Sequence, residues 1–154
     1  MKKITMSVLL FFIAITDVMS SEVKMPISGI SVDIPDGYDV YELDIDKPFH
    51  KSDLIADDNQ RLVVTFMQLS SGLQVNKDLV AGLRDAMVKG GFEISQLRID
   101  VPKKGEVIAL KAVLGNDMRV YIPYPNQQMI ILAQFNPEEL ELMADFKQIL
   151  ASMK

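Results

Sequence analysis

Ile30, Val32 and Ile34 alternate with Ser31 and Asp33, the period-two pattern of a half-buried strand, and Pro35-Asp36-Gly37 ends it with turn chemistry. Tyr38 to Leu43 continues as a second extended segment. Residues 44–60 are polar, contain Pro48 and keep no period, which predicts a long irregular loop. Arg61 to Leu69 is rich in β-branched and aromatic side chains and stops at Ser70-Ser71-Gly72, predicting another strand. The period then changes. Asn76 stands as a helix cap before Leu79, Leu83, Ala86 and Met87, which recur at helical spacing, and Gly90-Gly91 supplies a left-handed stop. Four extended segments follow: Phe92 to Val101, Val107 to Leu114, Met118 to Tyr124, and Met129 to Phe135. Lys103-Lys104-Gly105, Gly115-Asn116-Asp117 and Pro125-Asn126-Gln127 separate them as turns of an antiparallel meander.

Asn136-Pro137-Glu138-Glu139 combines a cap, a proline at the first helical position and acids at the positive end of the dipole, so a last helix is expected to start there. Leu142, Met143, Phe146, Ile149, Leu150 and Met153 give it one apolar stripe. An antiparallel sheet has a face needing cover, and two amphipathic helices can supply it. The expected fold is α+β, an antiparallel sheet of about six to seven strands with two main helices packed on it.

The first twenty residues read differently. Lys2 and Lys3 precede a mostly apolar run from Ile4 to Ile15, too short for a membrane-spanning helix, and Val18-Met19-Ser20 offers small and tolerable residues for cleavage. Residues 1–20 are therefore expected to be a signal peptide cleaved after Ser20 or Ser21, and residues 21–154 one domain large enough to bury its own core. The chain has no Cys. That excludes disulfides, thiolate nucleophiles and thiolate metal sites. An exported Cys-free domain of this size fits a bacterial periplasm, with no stable membrane anchor after cleavage.

Loss of residues 1–20 removes Lys2, Lys3 and Asp17, leaving 14 basic against 20 acidic side chains and a formal charge of −6. An acidic chain is a poor partner for nucleic acid, whose phosphates need a basic surface. Its charge is also uneven. Asp33, Asp36, Asp39, Glu42, Asp44, Asp46, Asp53, Asp57 and Asp58 face only Lys47 and Lys51 across residues 33–58, so the remainder is close to neutral. Such a stretch keeps a protein soluble or selects a basic partner.

Two stretches carry a family likeness. Ile30-Ser31-Val32-Asp33-Ile34-Pro35-Asp36-Gly37-Tyr38 and Phe146-Lys147-Gln148-Ile149-Leu150-Ala151-Ser152-Met153 stand at the two ends of the predicted order of elements. That order resembles the PsbP-like superfamily of small α+β sandwiches, which includes DcrB-type bacterial envelope proteins. In that superfamily an opening strand breaks at a Pro-x-Gly-aromatic turn, and a closing helix ends in a Phe-x-x-Ile-x-x-Ser-like signature. The resemblance spans nearly all of residues 27–153 and implies a mostly non-catalytic module that binds other proteins or assists assemblies. It brings no active-site motif. DcrB-type members are commonly lipid-anchored through a Cys that this chain does not have.

Catalytic chemistry finds little material. His50 is the only His, it lies beside Lys51, and no Gly-x-Ser-x-Gly elbow supplies a nucleophile, so it reads as a solvent-facing loop residue. Asp53, Asp57, Asp58 and Asn59 offer hard oxygen ligands, but no Gly interrupts them and no Glu closes an EF-hand spacing. Lys89-Gly90-Gly91 lacks the context of a phosphate loop. Met67, Met87, Met129 and Met143 fall within apolar patterns and read as core fillers. Tyr124, between Pro123 and Pro125, is a stiff amphipathic residue of the kind found at binding hot spots.

No catalytic residue, metal or cofactor is expected. The chain is expected to be a periplasmic protein-binding module, most concretely an immunity protein or inhibitor neutralising a basic secreted toxin or hydrolase. Asp39, Glu42, Asp44, Asp46, Asp53, Asp57, Asp58 and Tyr124 are the expected contacts. The alternative is an envelope accessory protein or hydrophobic-ligand carrier with a groove between sheet and helices.

Overall fold

The structure is a computed structural model that describes residues 20–154 except residue 47, so the expected signal peptide lies almost wholly outside the described residues. Nine strands are described: β1 (Ser20–Lys24), β2 (Ser31–Pro35), β3 (Tyr38–Leu43), β4 (Ser52–Asp57), β5 (Leu62–Gln68), β6 (Glu93–Val101), β7 (Gly105–Leu114), β8 (Asp117–Tyr124) and β9 (Met129–Phe135). Two α-helices, α1 (Lys77–Lys89) and α2 (Leu140–Ser152), complete the order. The fold is α+β. β1 and β2 form a hairpin-like pair, and the other seven strands form one sheet in the order β3-β4-β5-β9-β8-β7-β6. Every pairing in it is antiparallel. Among the described residues no helix is long and apolar enough to cross a membrane.

The two helices lie on opposite faces of the sheet, because its central strands are apolar on both. Strand side chains alternate between faces. In β5 and β9, Val64, Phe66, Ile131 and Ala133 point into the first core, while Met67, Ile130 and Leu132 point into the second. Met129-Ile130-Ile131-Leu132-Ala133 accordingly shows no alternation in sequence, as a strand buried on both sides requires. The first face is closed by α2, which buries Leu142, Phe146, Ile149 and Leu150, and by Val32 and Ile34 of β2. Backbone bonds between Ser31 and Lys154, and one from the Asp33 amide to Ser152 Oγ at 2.8 Å, fix β2 to the end of α2. The second face is covered by Leu79, Leu83 and Met87 of α1 together with Phe49, Leu69 and Val75.

Both ends of α1 match expectation. The Asn76 side chain accepts from the Leu79 amide at 2.9 Å, and Gly91 takes the left-handed conformation at φ +89° that ends the helix. Two expectations are corrected. Residues 44–60 are not one loop, since Ser52–Asp57 forms β4. Its polar residues hid it: Ser52 and Asp53 are fully buried and their hydrogen bonds are made inside the protein. The last helix begins at Leu140 rather than beside Pro137. There the Asn136 side chain accepts from the Glu138 amide at 3.0 Å, closing a local turn that competes with helix initiation.

Candidate functional site

The apolar stripe of α1 is narrow. Leu79, Leu83 and Met87 stand one turn apart, Val80 widens the stripe at one point only, and no residue of α1 is fully buried. Four residues of α2 are, Leu142, Phe146, Ile149 and Leu150, on one continuous face of the helix. α1 therefore roofs the second face without closing it. Between helix and sheet lies a cavity of about 400 Å³. That is a size at which sites for small apolar ligands occur, ~300–1,000 Å³.

Each wall follows from strand register. Leu110 on β7 pairs with Tyr121 on β8, so both side chains lie on the second face, and Pro123 and Ile130 extend the same floor. Ile94 and Ile108 form the side toward the β6 edge, and Ile108 is 54% exposed. Val80 and Leu83 form the roof. A second cavity of about 500 Å³ shares Val80, Arg84, Leu110 and Pro123 with the first, so the hollow continues along the start of α1. Tyr121 is almost buried and its hydroxyl donates to Met87 Sδ at 3.4 Å. Burial pushes its phenol above the ordinary tyrosine value, against the opposing pull of Arg119, so the floor carries no ionised group at neutral pH. Arg84 is the one charged residue lining the first cavity.

The acidic segment divides into two sets. Asp39, Glu42, Asp44, Asp46 and Asp58 are exposed. Asp53 and Asp57 are buried and held by the chain itself. The Asp53 carboxylate accepts from the Ile27 and Ser28 amides at 2.9 and 2.7 Å, which anchors the connection between β1 and β2. Asp57 accepts from the Leu62 amide at 3.0 Å and pairs with Arg61 at 3.4 Å. Neither carboxylate has surface to offer a partner.

The exposed acids gather around β3, the first strand of the sheet, which among the described residues pairs only with β4. Tyr41 and Leu43 are exposed there too, on the same strand face as Asp39. Tyr124 is not part of this cluster. It sits on β8, four strands and roughly 19 Å from β3. Half-buried against the first core, its phenol is raised by burial. His50 is exposed, as expected of a loop residue. All seven methionines after residue 20 pack in or against the two cores.

None of the residues around the cavity was a sequence candidate. The signal was present in β7, where Val107, Ile108, Ala109 and Leu110 run without a polar residue and so place apolar side chains on both faces. No family model, curated protein or solved structure matches this chain.

Proposed function

We propose that this chain is a non-enzymatic binding protein that takes an apolar ligand into the slot between α1 and the sheet. One observation carries the reading: an apolar sheet face lies under a helix that buries none of its own residues, leaving a hollow of ligand size. The resemblance to PsbP-like envelope proteins and the basic and apolar start of the chain support a non-catalytic role after export to the periplasm. A neutral naphthylamine fluorophore is expected to brighten on mixing with the protein. Val80→Trp, which fills the slot from its roof, should abolish the brightening while leaving the melting temperature within a few degrees of wild type. A wild-type protein that leaves the fluorophore dark contradicts the reading.

A second reading concerns the β3 edge. Tyr41 and Leu43, 50% and 40% exposed, stand among Asp39, Glu42, Asp44 and Asp46, the arrangement of an apolar anchor ringed by charge. This favours docking of a basic protein, of which a secreted toxin or hydrolase is the concrete case. Asp39→Lys with Asp44→Lys should slow capture of such a partner by about tenfold at low salt, since steering charge acts on the association rate. Capture at the wild-type rate would remove the edge as a recognition surface.

A further inference from the structure

We infer that the ligand of the slot is a single-chain amphiphile with a carboxylate head, its tail between α1 and the sheet and its head on Arg84. The inference rests on the reading of the slot as an apolar ligand site and adds the chemistry of its mouth. Arg84 lines both cavities, and among the described residues it makes no ion pair. Three other arginines do: Arg61 with Asp57 and Glu139, Arg98 with Glu106, and Arg119 with Asp117. No carboxylate lines either cavity, in a chain whose acids outnumber its bases. The local charge is thus opposite in sign to the molecule's.

Shape points the same way. An aliphatic floor and roof of Leu110, Ile130, Val80 and Leu83 suit a flexible hydrocarbon tail, which gains free energy in proportion to the apolar area removed from water. A guanidinium offers its donors as a planar fork that matches a carboxylate. Arg84 is the one cation lining the first cavity, and Lys77 lines its continuation along the start of α1, so the fork of Arg84 rather than a cation count selects the carboxylate. Gln96, which pairs with Leu110 and so shares its face of the sheet, is a polar neighbour for the head group.

The test is displacement of the neutral fluorophore by dodecanoate, dodecanol and dodecyltrimethylammonium, each below its micelle-forming concentration and at mildly alkaline pH. The three probes share a tail and differ in the charge of the head. Dodecanoate is expected to displace at about tenfold lower concentration than dodecanol, and the cationic probe at higher concentration than either. Arg84→Gln should erase the advantage of dodecanoate over dodecanol, and Arg84→Lys should keep part of it. Arg84 is exposed on a helix surface, so neither substitution threatens folding. Equal displacement by dodecanoate and dodecanol in the wild type, or an unchanged ratio in Arg84→Gln, would overturn the head-group inference and leave the slot standing. Failure of the fluorophore itself to bind would overturn the slot and this inference with it.

Discussion

Asp53 shows how far a residue's role can lie from its appearance in sequence. It stands in the most acidic stretch of the chain, yet it is completely buried and its two oxygens satisfy two backbone amides. An acid run reads as solvated surface because charge is costly to bury, and only tertiary structure reveals donors arriving from residues 26 and 25 positions away. Asp53→Ala leaves two amides without their acceptor and is expected to cost about 3 kcal/mol in urea denaturation. An unchanged unfolding midpoint would mean that water replaces the carboxylate at no loss. Tyr38 is a second case. Its hydroxyl donates to Asp145 at 2.8 Å, and burial together with that carboxylate raises its phenol well above the ordinary value, so it stays neutral and ties β3 to α2.

At the scale of elements, the legible parts were those with a strong local period. Residues of α1 and its cap, the meander from β6 to β9 and the stripe of α2 all follow from spacing and turn chemistry. β4 was missed because its buried positions include Ser52, Asp53 and Asp57, and the start of α2 because the Asn136 cap closes a turn instead. The two helices should differ sharply in what truncation costs. Phe146→Ala, at a fully buried position, is expected to lose about 3 to 5 kcal/mol. Leu83→Ala, on the half-buried stripe of α1, should lose roughly 1 kcal/mol. Equal losses in denaturant titrations would mean that α1 closes on the sheet as tightly as α2, leaving no room for a ligand.

For the whole molecule, one sheet serves two cores of unequal completeness. The first face is sealed by α2 and the β1–β2 pair, which supply a continuous set of large buried side chains. The second is sheltered by a single narrow helix and a few loop residues, and the slot is what remains open. No local pattern in sequence encodes that difference, because it depends on how far a stripe three residues long reaches across several strands. The exposed acids lie at the β3 edge, while the slot opens toward the β6 edge, at the opposite end of the strand order. The two surfaces can therefore be tested separately in one sample. The most direct measurement is a methyl-resolved NMR titration of the protein with dodecanol. Ligand entry predicts progressive shifts at Val80, Leu83, Ile94, Ile108 and Leu110, with Leu43 on β3 and Leu142 and Ile149 under α2 left unmoved. Unchanged slot methyls at saturating dodecanol, or shifts centred on β3 instead, would contradict ligand binding beneath α1.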